Sequence, residues 1–141
     1  HGNPVRYRNI WYRPLPARAV DGGDMGAMAP AAATAKKLEI AKAIRADAAN
    51  LQGLAKLRRS MESLCYDLDA TTLKQVQDGL AAWITTIQKT PAGQMEAKKG
   101  EIMQMREAVN YLMQFKFLPE NCSAKPEIAK IITANGWDEK K

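Results

Sequence analysis

Few residues in this chain are of a type that does chemistry. Histidine occurs once, at His1, so the remainder cannot assemble a Ser-His-Asp set. Any partner for the His1 imidazole must come from outside this sequence. Cysteine occurs twice, at Cys65 and Cys122, without metal-ligand spacing. Haem attachment and zinc binding fail for want of CxxCH or clustered Cys and His. No acidic loop has the EF-hand order, and no metal ligand can be named. The GxGxxG and phosphate-loop patterns are absent, so no cofactor is implied. The carboxylates Glu62 and Asp67, and Glu101 and Glu107, read as ordinary solvated positions. Met61, Met103, Met105 and Met113 would suit a soft, adaptable surface, but their helical spacing favours core filling.

The elements that must position these residues are of two kinds. His1 to Leu15, HGNPVRYRNIWYRPL, reads as a β-strand. Val5, Tyr7, Asn9 and Trp11 alternate with Arg6, Arg8, Ile10 and Tyr12, and Pro4 and Pro14 bracket the run. A strand needs partners for its backbone N–H and C=O groups, and nothing else in the chain reads as one. Its neighbours are therefore expected outside this chain. Residues 16–33, PARAVDGGDMGAMAPAAA, read as a linker, because glycine and proline break every period.

From about Thr34 onward the pattern is helical. The first helix is predicted over Thr34 to Asn50, with Thr34 as N-cap and Ile40, Ile44, Ala48 and Leu51 as its stripe. The second covers about Leu54 to Asp67, with Leu54, Leu57, Met61, Leu64, Cys65 and Leu68 on one face. Asp69 is placed as the N-cap of a third, about Ala70 to Lys89. Its stripe is Leu73, Val76, Leu80, Trp83, Ile84 and Ile87. Gly79 inside it costs helix propensity, or lets a neighbour approach closely. Thr90 is predicted to cap a long fourth helix reaching about Phe117. Its apolar face is Met95, Ile102, Met105, Val109, Leu112 and Met113. A short fifth runs from about Pro126 to Ala134, stops at Asn135-Gly136, and leaves Trp137 to fold back as a lid. Trp83 and Trp137 are expected as core anchors. The expected class is mainly α. Four or five helices (residues 34–141) form an antiparallel bundle or array, preceded by one detached β-strand.

His1-Gly2-Asn3-Pro4-Val5, Tyr7-Arg8-Asn9-Ile10-Trp11 and Arg13-Pro14-Leu15 resemble the closing strand of the 3-keto-disaccharide hydrolase domain family, whose pattern there is close to HGNPVxFRNIWIRPL. The similarity spans only these fifteen residues. It implies a concanavalin-like jelly-roll sandwich, mostly outside this chain, in a multi-domain secreted or periplasmic protein. Members cleave, by hydrolysis or elimination, glycosides whose sugar carries a 3-keto group. On that resemblance His1 lies on a strand facing sugar and is a candidate general base for a proton beside the keto group. The bland alternative is a turn residue before Gly2. Arg8 and Arg13 could bind sugar hydroxyls as donor forks, and Asn9 as donor and acceptor. Trp11 or Tyr7 could stack on a sugar ring. Each of these is more often a sheet-packing or rim residue. Export would also let Cys65 and Cys122 pair as a disulfide. The alternative is a buried free thiol at Cys65, which sits on an apolar helical face.

The 141 residues carry a net charge of +6 and a pI near 9.4. Lys and Arg are interspersed with Glu and Asp along the helices. That pattern reads as solvated faces rather than a nucleic-acid surface. No apolar run reaches membrane-spanning length. A leader peptide, on the export reading, would lie upstream. The sequence thus points to a non-catalytic helical accessory module of a 3-keto-glycoside-cleaving protein. Its expected partners are the absent sandwich domain and, through it, carbohydrate. The alternative is a stand-alone helical module that binds protein or an anionic polymer.

Overall fold

A computed structural model describes residues 29–138. The strand expected in residues 1–15, and most of the linker expected in 16–33, lie outside the described residues. The chain divides into two units, 1–35 and 36–141, and the helical core belongs to the second. The described residues are mainly α, with five α-helices and no strand among them. The helices are α1 (Pro30–Ala49), α2 (Gly53–Leu64), α3 (Ala70–Gln88), α4 (Met95–Gln114) and α5 (Ala124–Ala134).

α1 begins earlier than its apolar period suggests. Pro30 occupies the first helical position, where its missing N–H costs nothing, and Ala31 to Ala33 propagate the helix. Thr34 is therefore not a cap: its hydroxyl donates to the Pro30 carbonyl one turn back, at 2.9 Å. The buried stripe is Ala41, Ile44 and Ala48, while Ile40 and Leu51 are only half-buried. Two ion pairs tie α1 to α2 and to the turn after it. Arg45 Nη2 reaches Asp67 Oδ2 at 2.8 Å, and Arg59 Nε reaches Asp47 Oδ2 at 2.7 Å.

α2 stops at Leu64, three residues short of the expected end, and the chain turns through Cys65 to Leu68. Leu57, Met61 and Leu64 are buried as the spacing requires, but Leu68 has left the helix and is 53% exposed. Asp69 caps α3 as expected. Its carboxylate accepts from the Thr72 backbone N–H and hydroxyl, each at 2.7 Å. α3 buries Val76, Leu80, Trp83, Ile84 and Ile87, with Leu73 half-buried. A Cβ on Gly79 would stand 2.9 Å from Leu57 Cδ1, so this glycine is where α2 comes close to α3.

Thr90 does not cap the next helix. Its hydroxyl turns back to the Thr86 carbonyl, and a 3₁₀ turn over Ala92–Gln94 intervenes, with Pro91 before it. α4 then starts at Met95 and ends at Gln114. Met95, Ile102, Met105, Val109 and Leu112 are buried along it. Its end is a Schellman motif: Phe117 N–H donates to the Leu112 carbonyl and Lys116 N–H to that of Met113. Lys116 takes the left-handed conformation there, with φ 61°.

α5 closes in the same way. Trp137 N–H donates to the Ile132 carbonyl and Gly136 N–H to that of Thr133, with Gly136 at φ 66°. This turn folds Trp137 back into the core, as the Asn135-Gly136 signal predicts. It is 9% exposed, its indole N–H donates to Glu96 Oε2 at 3.0 Å, and Lys99 Nζ lies 5.6 Å from its ring centroid. One continuous core joins α2, α3, α4, α5 and Trp137.

Candidate functional site

A concavity among the helices adjoins that Gly79 contact. Leu57 packs over Gly79, and α4 crosses nearby, leaving a groove of about 440 Å³. Leu54, Leu57, Ala82 and Trp83 form its apolar lining, and Gly53 and Gly79 add no side chain to it. Its polar end is made by α4. Lys98 Nζ and Glu101 Oε2 are 2.9 Å apart, and the indole N–H of Trp83 donates to Glu101 Oε1 at 2.8 Å. Thr86 also lines the groove, its hydroxyl donating to the Ala82 carbonyl.

Glu101 is thus not the ordinary solvated carboxylate that its sequence position suggests. Partial burial pushes its carboxyl up. The Trp83 indole N–H, the Lys98 ammonium and the more distant Arg58 charge outweigh that and hold it below the usual glutamate value. One signal for this is present in the sequence. A buried tryptophan needs an acceptor for its N–H, and the periodicity of α3 places Trp83 in the core. The residue that supplies the acceptor is fixed only by how α3 meets α4.

A second, shallower groove of about 270 Å³ lies between α2 and α4. It is lined by Arg58, Met61, Glu62, Cys65, Ala108, Tyr111 and Leu112. Tyr111 and Phe115 stand beside it, 51% and 52% exposed, with ring centroids 4.7 Å apart. Leu112 turns inward while these two, on the adjoining face of α4, turn outward.

His1, Arg8, Asn9 and Trp11, with Tyr7 and Arg13, lie outside the described residues. Cys65 and Cys122 are both free thiols. Cys65 is half-buried against the core at the end of α2, where desolvation, and secondarily Glu62, pushes its thiol pKa up. Cys122 is buried in the connection before α5. Met61 and Met105 are buried, and Met103 and Met113 pack half-buried against the same core. No group of three His, Cys, Asp or Glu side chains among the described residues is arranged to hold a metal ion. No described helix is long and apolar enough to cross a membrane.

About half of the described basic side chains are in ion pairs. Lys36 with Glu39, Lys98 with Glu101, and Lys130 with Glu127 are one turn apart, as is Lys74 with Asp78. No family model, curated protein or solved structure matches this chain.

Proposed function

We propose that the helical unit is a non-catalytic interaction module, and that it serves a larger protein that cleaves 3-keto-glycosides. The observation that carries the module reading is the outward-facing aromatic edge of α4. Tyr111 and Phe115 are large, in tilted ring contact and half-exposed beside an apolar groove. Aromatic rings in such positions supply contact area at small entropic cost. The parent's chemistry rests on residues 1–15 alone, which are similar to the closing strand of the 3-keto-disaccharide hydrolase family. On that reading the strand belongs to a jelly-roll sandwich and the protein is exported. The sugar is then bound by the sandwich, with His1, Arg8, Asn9 and Trp11 as its contributions from this chain. The short connections between helices favour an antiparallel bundle.

An anionic polymer is the weaker partner. The i,i+3 and i,i+4 ion pairs distribute charge of both signs over the helices rather than gathering it in one stripe. Retention on an anionic matrix should therefore be lost at low salt.

The test is a paired assay on a 3-keto-glucoside. It compares the 141-residue chain with the product of the complete reading frame. Cleavage by the complete protein alone supports an accessory module. Cleavage by the 141-residue chain overturns the non-catalytic reading. Cleavage by neither removes the sugar-active parent and leaves an interaction module.

A further inference from the structure

The groove enclosed by α2, α3 and α4 has the size and lining of a small-molecule site. Its volume of about 440 Å³ falls within the usual range for such sites, about 300–1,000 Å³. Most of the wall is apolar, from Leu54, Leu57, Ala82 and Trp83. The charged side chains of the lining, Lys98 and Glu101, both come from the first two turns of α4, and Thr86 of α3 adds a hydroxyl already bonded to the Ala82 carbonyl. We infer that this groove binds a small neutral ligand with a compact apolar body and one hydroxyl, such as a phenol or an alicyclic alcohol.

Neutrality follows from the ion pair. Lys98 and Glu101 are 2.9 Å apart and balance each other. A ligand with net charge would compete with one of them for its partner, whereas a neutral ligand leaves the pair intact. The hydroxyl follows from the hydrogen-bonding capacity left over. Glu101 accepts from Trp83 and Lys98 and retains free lone pairs, while Lys98 has further N–H groups. A hydroxyl is the smallest group that donates to the one and accepts from the other. The carboxylate is also held in place before any ligand arrives, since the Trp83 N–H fixes Oε1 at 2.8 Å. The apolar body follows from the remaining wall, where Gly53 and Gly79 leave room and offer no polar side chain.

The probe is 4-ethylphenol, titrated into the isotope-labelled 141-residue chain while the Trp83 indole N–H resonance is followed by NMR. The expected result is a saturable shift with a dissociation constant below about 10 mM. The probe 4-ethylbenzoate, with the same body and a carboxylate, should bind at least about tenfold more weakly. Ala82→Phe, at an exposed position on the groove wall, should abolish the shift and leave the thermal transition unchanged. Glu101→Gln should weaken 4-ethylphenol several-fold while preserving an acceptor for Trp83. Should Ala82→Phe fail to fold, Lys98→Met at its half-exposed position reads the same site through a several-fold loss. A linear, unsaturable response of Trp83 overturns the inference. So does equal binding of 4-ethylbenzoate, or an Ala82→Phe or Lys98→Met chain that binds like the parent chain.

Discussion

Lys116 holds a conformation that lysine disfavours. At φ 61° its Cβ crowds the following carbonyl, a cost of about 1 kcal/mol that glycine does not incur. The Schellman turn requires this backbone, since Phe117 must reach the Leu112 carbonyl. Lys116→Gly should therefore be neutral to stabilising in urea denaturation, by at most about 0.6 kcal/mol, because the greater freedom of unfolded glycine offsets much of the relieved strain. Asp69 makes a second prediction. Hydrogen bonds from the Thr72 hydroxyl and backbone N–H hold its carboxyl below the ordinary aspartate value of 3.8. A depressed folded pKa means that the unfolded chain binds the proton first as pH falls. The cap's contribution is fully present above the ordinary value and is lost as pH falls through the lower folded one. Asp69→Ala should lower the melting temperature at neutral pH. The gap from the parent chain should close as the acid side of that window is reached. The Asp69 cap is legible in the sequence, because aspartate before an Ala-Thr-Thr helix start leaves one strong local option. Thr34 and Thr90 are equally plausible as caps on local grounds. Thr34 instead bonds back within α1, and Thr90 bonds back onto the last turn of α3, which only the path of the neighbouring chain decides.

Two glycines within helices separate local propensity from packing. Gly100 in α4 has nothing within 4 Å of where a Cβ would stand, whereas Gly79 in α3 has Leu57 Cδ1 at 2.9 Å. Gly100→Ala should gain close to the full helix-propensity difference, about 0.8–1 kcal/mol. Gly79→Ala should gain clearly less, because the end of Leu57 must move to admit the methyl group. Equilibrium unfolding of the two variants side by side measures the difference. If the two gained equally, the close approach of α2 and α3 at Gly79 would be wrong. The buried stripes of α2, α3, α4 and α5 largely follow their sequence periodicity. Helix ends do not: Leu68 continues the α2 stripe in sequence, yet α2 stops at Leu64. A local period persists past the point where the chain turns, so it cannot mark the turn.

At the scale of the molecule, Trp137 closes the core from beyond the last helix. Its ring is 9% exposed, its N–H bonds Glu96 and its face meets Lys99, both on the first turns of α4. Trp137→Ala should cost about 3 kcal/mol, the usual scale for deleting a buried tryptophan. Loss should appear as a lower urea midpoint with one cooperative transition retained. An unchanged midpoint would mean that the lid is not part of the core. Trp83 joins elements in a similar way, from α3 to Glu101 of α4. Both indoles thus anchor on α4 carboxylates, Glu96 and Glu101, that no local pattern distinguishes from their neighbours.

Local sequence is enough to set the helical class, most of the buried faces, the Asp69 cap, the Asn135-Gly136 stop and the inward turn of Trp137. These depend on residues within a few positions of each other, through periodicity, capping and the left-handed freedom of glycine. Packing between helices, by contrast, is what makes Leu57 meet Gly79 and opens a groove beside them. It brings Lys98, Glu101 and Trp83 to one end of that groove, and leaves Tyr111 and Phe115 facing outward. Those outcomes depend on side chains from separate helices meeting at angstrom scale. No local pattern along the chain encodes that meeting.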